Sequence, residues 1–224
     1  MYRAKTNILS LILKALLFAL LVGIILGYLF GYRYILVNGW SSEPYIHYQS
    51  LILTSPTKLQ NLKVGDFITY TSSKQAVFAK QSNVTHQIIA IKYDGYFKEY
   101  NDETGEGDIV TMIADGIEYQ VKFGYDIKID DDGNVTYEKM TNVPTNCNII
   151  TMQRQQGKAN ISATKEYKNF DQVVGKVVGQ SVMLGKTLFL IMGNPLILVG
   201  FLGCFVLLFV LKEQFSTDNL RIYK

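Results

Sequence analysis

The sequence predicts a mainly β, antiparallel domain held between two transmembrane helices. Three observations carry that expectation. Both ends of the 224-residue chain hold long uncharged apolar stretches. The segment between them is built of short runs rich in β-branched and aromatic residues, separated by turn chemistry. No part of that middle segment sustains a helical apolar period for ten residues.

A basic tail, residues 1–7 with Arg3 and Lys5, precedes the first apolar stretch, 8–33. From Ala15 to Tyr32 no residue is charged, and the run extends back to Ile8 if Lys14 snorkels toward lipid headgroups. About 20 residues suffice to cross a ~30 Å hydrocarbon core as helix. The stretch exceeds the 7–15 residues of a signal-peptide core, and Gly31-Tyr32-Arg33-Tyr34 offers no small-x-small site, so a retained anchor is expected. A second uncharged stretch, 187–211, is interrupted only by Asn194-Pro195, and a further tail with Lys212, Arg221 and Lys224 follows at 212–224. Basic residues outside both spans predict a two-pass cell-membrane protein with cytoplasmic termini and an extracytoplasmic domain over 34–186.

Within that domain, strands are expected at Ser50–Ser55, Asp66–Thr71, Val84–Ile91 and Val173–Val178. An acidic, Gly- and Tyr-rich insertion occupies about 93–148. Its hairpin cues are Ala114-Asp115-Gly116-Ile117 and Asp132-Gly133-Asn134-Val135, and the expectation is that it closes on itself as a small sheet. It holds 13 of the domain's 17 acids, with four lysines inside it.

The formal charge of +3 conceals a partition, because between Tyr34 and Lys186 there are 15 basic and 17 acidic residues. Nucleic-acid binding needs a concentrated basic face, and that is missing. Asp130-Asp131-Asp132-Gly133 fails as a calcium loop, since the EF-hand spacing places Lys128 and Lys139 at the first and twelfth ligand positions. Cys147 falls in the domain and Cys204 in a span, so they cannot pair within the chain, and two His with these Cys are too few for zinc. No Gly-rich phosphate loop is present, so neither metal nor cofactor is expected.

What remains is Gly39-Trp40-Ser41-Ser42-Glu43-Pro44, just beyond the first span, and His86 on an apolar strand. A serine hydroxyl is a weak nucleophile and needs a base within hydrogen-bond reach. His86, on a strand, is better placed to be held in one tautomer than His47, which falls in a Tyr-rich turn.

At these residues the chain resembles the type I signal peptidases. Ser41-Ser42-Glu43-Pro44, Ser50-Leu51-Ile52-Leu53, Val64-Gly65-Asp66-Phe67, Thr85-His86-Gln87-Ile88 and Val174-Gly175-Lys176-Val177 follow the order of that family's boxes. A His in the second catalytic box is similar to the endoplasmic-reticulum and archaeal branch, and a carboxy-terminal span is similar to the W-type signal peptidase of Gram-positive bacteria. The resemblance covers about 39–92 and 149–185. It implies an antiparallel β domain resting on the membrane and a serine endopeptidase that removes signal peptides from secreted preproteins. Small residues would be required at the first and third positions before the cut. Ser41 would be the nucleophile and His86 the general base, with the Ser41 N–H helping to bind the oxyanion.

The chain departs from the family pattern at three places. Gly39-Trp40 replaces the usual Ser-Gly, Gln87 replaces an Arg, and Gly157-Lys158-Ala159-Asn160 carries a Lys where the His-orienting carboxylate is expected. The nearest carboxylates are Glu166 and Asp171. Asp171 is the favoured third catalytic residue, because it directly precedes the Val-Val-Gly-Lys strand. The alternative expectation is a catalytically silent relative that binds preproteins or assists surface-fibre assembly.

Overall fold

The computed structural model describes residues 8–72, 82–130, 133–155, 158–159, 165–194 and 200. The chain begins with helix α1 (Ile8–Leu29), whose side chains Leu16, Phe18, Leu21 and Ile25 are exposed. The helix ends in a Schellman-type turn: Gly31 N–H donates to Tyr28 O and Tyr32 N–H to Gly27 O. Gly31 takes φ 88°, which a side chain would resist. The Arg33 guanidinium lies over the Tyr28 ring and donates to the Tyr28 carbonyl, so a cation caps the negative end of the helix.

Strands β1 (Arg33–Leu36), β2 (Leu51–Ser55), β3 (Phe67–Ser72), β4 (Ser82–Ile91), β9 (Ile149–Met152), β12 (Lys165–Lys168) and β13 (Val173–Ser181) form one sheet. Its spatial order is β1-β2-β13-β3-β4-β9-β12, and every neighbouring pair is antiparallel. The insertion contributes two hairpins. One is β5 (Ile109–Ala114) with β6 (Ile117–Lys122), and the other is β7 (Tyr125–Ile129) with β8 (Val135–Lys139). A last short pair joins β10 (Arg154–Gln155) to β11 (Lys158–Ala159).

Two buried clusters lie on opposite faces of the large sheet. Leu62, Ile68, Tyr70, Ile88 and Ile149 form one. Ile89, Ala90, Ile150 and Met152 of the large sheet form the other, together with Val110, Met112, Val121, Phe123 and Ile127 of the insertion. Ile88 faces one way and Ile89 the other, and a register shift between Ile88 and Ala90 lets Ala90 join Ile89. The insertion therefore does not close on itself as a small sheet. Its hairpins are separate two-stranded pairs; the β5–β6 hairpin and strand β7 bury apolar side chains against the large sheet, while β8 is exposed throughout. β5 alternates strictly, with Val110, Met112 and Ala114 buried and Ile109 and Thr111 exposed. Among the described residues, acids such as Asp94, Glu103, Glu118 and Glu138 are exposed, so an acidic composition coexists with an apolar inner face.

The signature segments Val64-Gly65-Asp66 and Val174-Gly175-Lys176 meet across β3 and β13. Lys176 Nζ donates to Asp66 Oδ2 at 2.8 Å, and a side chain on Gly175 would place its Cβ 2.6 Å from Ser55 O. A glycine and a lysine are needed there because β13 crosses tightly between β2 and β3 and carries the counter-ion of Asp66.

Helix α2 (Val182–Gly193) follows β13 directly, with the Ser181 hydroxyl accepting from Leu184 N–H at its start. The helix starts at Val182 and not at 187, because absence of charge marked the expected span and Lys186 lies within the helix. Within the described residues no helix is long and apolar enough to cross a membrane. α2 stops after 12 residues, and the side chains of 8–11 and 13 in α1 fall outside the description. The two transmembrane helices expected to flank the domain are therefore not found. A helix of 22 residues precedes it and one of 12 residues follows. Residues 195–199 and 201–224, where most of the second expected span falls, lie outside the described residues.

Candidate active site

His86 sits in the middle of β4, between β3 and β9, and its side chain is 1% exposed. The β3–β4 register places Ile68 opposite His86, so Tyr70, two residues on, lies diagonally across on the same face. β12 brings Glu166 to this face through a second pairing: Glu166 stands opposite Thr151, and Thr151 opposite Ile88.

Ser41 arrives from the loop between β1 and β2. Three contacts fix that loop. Ser42 is buried and its hydroxyl donates to Thr85 O at 2.5 Å. Arg154 N–H donates to Ser41 O at 2.7 Å, and Tyr48 N–H donates to Glu43 Oε1 at 3.0 Å. The far end of the loop rests on α2, where Trp40 stacks on Tyr48 at 4.2 Å and Tyr48 reaches Phe189. A Cβ on Gly185 of α2 would collide with Gln49 O and Leu51 N, so helix and loop touch backbone to backbone.

The result is a hydrogen-bonded line of four side chains. Ser41 Oγ lies 2.9 Å from His86 Nε2, His86 Nδ1 lies 2.6 Å from Tyr70 Oη, and Tyr70 donates to Glu166 Oε2. Glu166 Oε2 is 3.4 Å from His86 Nδ1, and Oε1 accepts from Gln153 at 3.1 Å. Lys168 Nζ lies 3.4 Å from Glu166 Oε2 and 4.4 Å above the Tyr70 ring. Burial pushes the Glu166 carboxyl up. The neighbouring His86, the Tyr70 hydrogen bond and the charge of Lys168 outweigh it and hold the group down at about 2. Burial, with the Glu166 hydrogen bond and charge behind it, pushes the Tyr70 phenol far up, so it stays neutral.

Asp171 does not join this group. It is exposed in a short 3₁₀ turn (Phe170–Gln172), where its N–H donates to Asn169 Oδ1. The chain between β12 and β13 caps itself there, and the position just before β13 points Asp171 to solvent. Glu166 takes the place beside His86. The sequence names Glu166 as a candidate but carries no sign of its face, because all four residues of β12 are half-buried and do not alternate. The sequence does not single out Tyr70, because its place beside His86 follows from the β3–β4 register. Of the Gly157–Asn160 box, Gly157 and Asn160 lie outside the described residues.

A hollow of about 360 Å³ opens beside Ser41, lined by Ile35, Val37, Gly39, Ser42, Asn83 and Val84 among others. Among the described residues, the Ser41 N–H meets no hydrogen-bond acceptor. A hollow of about 420 Å³ around Val64, Tyr93 and Ile109 contains none of Ser41, His86 or Glu166. Size therefore does not mark the site; the aligned nucleophile and base do. Among the described residues no three His, Cys, Asp or Glu converge as a metal site. Chemically, the arrangement can deprotonate a hydroxyl and stabilise the imidazolium that results. No protein-family model matches this chain, and no curated protein matches it either.

Proposed function

We propose that this protein is a membrane-bound serine endopeptidase that removes signal peptides from secreted preproteins. The observation that carries the reading is the 2.9 Å contact between Ser41 Oγ and the buried, strand-held imidazole of His86. Ser41 attacks the scissile carbonyl as His86 Nε2 takes its proton, and His86 then returns that proton to the leaving amine. The unengaged Ser41 N–H supports the oxyanion, a donor type worth about 3 kcal/mol in the transition state. Glu166, acting from the Nδ1 side, stabilises the imidazolium. The extended preprotein lies in the hollow beside Val37–Gly39, where the close apolar wall favours small residues before the cut.

Membrane attachment is part of the same proposal. The uncharged run of α1 and the exposed Leu16, Phe18 and Leu21 support a first anchor, and the uncharged 187–211 stretch supports a second. Exposed Trp40, Tyr45 and Tyr34 around the Ser41 loop fit an aromatic belt at the lipid interface. Both termini are then cytoplasmic and the β domain extracytoplasmic. A silent relative that binds preproteins without cutting them is the second reading. It draws on Gly39, which leaves no hydroxyl ahead of Ser41 to share the oxyanion.

Incubation of the detergent-solubilised chain with a preprotein, followed by mass spectrometry of the products, separates the two. The enzyme reading expects one new amino terminus with wild type and none with Ser41→Ala. Intact preprotein with both proteins overturns it in favour of the silent relative.

A further inference from the structure

We infer that Tyr70 is the positioning residue of this site, transmitting the hold of Glu166 onto His86 and fixing the tautomer that leaves Nε2 free to accept from Ser41. The direct contact is poor: Glu166 Oε2 lies 3.4 Å from His86 Nδ1, beyond ordinary hydrogen-bond length, whereas Tyr70 Oη lies at 2.6 Å. Direction follows from a count of protons. An ionised carboxylate only accepts, and a phenol has one hydrogen to give. Tyr70 gives it to Glu166. Its oxygen lone pairs then face His86 Nδ1, and two lone pairs 2.6 Å apart would repel, so Nδ1 carries the imidazole proton. Nε2 is left bare, with the Ser41 hydroxyl 2.9 Å away.

Burial and the neighbouring carboxylate keep the phenol neutral, so it orients the imidazole without itself losing a proton. Tyr70 is fully buried and Lys168 sits over its ring, so the phenol has little freedom to turn away. When His86 takes the serine proton, the positive charge on Nδ1–H is met by the polarised phenol and, behind it, by Glu166.

The inference rests on Ser41 and His86 as nucleophile and base, but a spectroscopic test stands apart from catalysis. The chain has only two histidines, so nitrogen-15 labelling of histidine in the full detergent-solubilised protein gives two ring systems, and His47→Ala assigns them. Neutral His86 is expected to show Nδ1 protonated and Nε2 bare. Tyr70→Phe and Glu166→Gln should each replace that single tautomer by a mixture. Each should lower kcat for preprotein cleavage on the order of 10²-fold with KM unchanged, and the double variant should fall no further than the worse single. Thermal unfolding of each variant checks that the fold persists, and a wild-type Nε2–H tautomer overturns the inference even if Tyr70→Phe does not fold.

A wild-type His86 protonated at Nε2 overturns the inference. So does a Tyr70→Phe protein that keeps tautomer and rate while Glu166→Gln loses both, because Glu166 would then act directly. A wild type with the expected tautomer, lost in both variants, but with no cleavage of any preprotein would support the relay and sink the hydrolase reading.

Discussion

Truncating Phe123 to alanine tests whether the acidic insertion is part of the domain's core. Phe123 is 2% exposed, lies 5.1 Å from the Phe97 ring and meets the Tyr167 ring edge-on at 5.4 Å. Tyr167 is the strand neighbour of Glu166, so the insertion packs onto the strand that supplies the site's carboxylate. Removing a buried phenylalanine costs about 3–5 kcal/mol in lost transfer energy plus the cavity left behind. For a domain of about 150 residues each kcal/mol moves the midpoint by roughly 2–4 °C, so Tm should fall by about 10 °C. Thermal unfolding of the detergent-solubilised protein, followed by near-ultraviolet circular dichroism, reads this directly. A shift below about 3 °C would refute the reasoning, since it would mean that the hairpins do not bury this face against the large sheet.

Glu166→Gln should lower the cleavage rate far more than Asp171→Asn, which should leave it within about twofold, because only Glu166 reaches the His86 side of the site. Gly185→Ala should destabilise the protein by about 1–3 kcal/mol and depress cleavage by pushing α2 off residues 49–51, whereas Gly179→Ala, with open space around it, should do neither. Acid should weaken the fold through Glu166, whose folded-state pKa of about 2 lies below its ordinary 4.5. A depressed carboxyl contributes stability that is complete above about pH 4.5 and is lost as pH falls through about 2, here at most about 3 kcal/mol. The urea midpoint should therefore fall more between pH 6 and pH 3 in wild type than in Glu166→Gln.

How much of this was legible in the sequence differs element by element. The strands around Ile52, Ile68, His86 and Val174 were readable because β-branched runs are bounded by Gly, Pro and Asp turns. Ser41 and His86 stood out because a hydroxyl just beyond a long apolar run and a lone strand histidine form a known chemical pair. The third member was not readable. Distance along the chain favoured Asp171 next to β13, but position in space depends on the β12–β9–β4 register, which Lys165-Glu166-Tyr167-Lys168 does not advertise. The insertion was misjudged for a related reason. Its acids dominate any average over composition, while the alternation of Val110, Met112 and Ala114, visible only position by position, marks a buried face.

The central claim is that Ser41 and His86 act as one unit, and double-mutant kinetics test it most directly. Cleavage rates of a preprotein are measured for wild type, Ser41→Ala, His86→Ala and the double variant, each against buffer alone. Groups that act together in one proton transfer are grossly non-additive. The account predicts that each single variant falls to nearly the same residual rate and that the double variant falls no lower. Independent losses that multiply in the double variant, or a His86→Ala protein that cleaves at the wild-type rate, would contradict it.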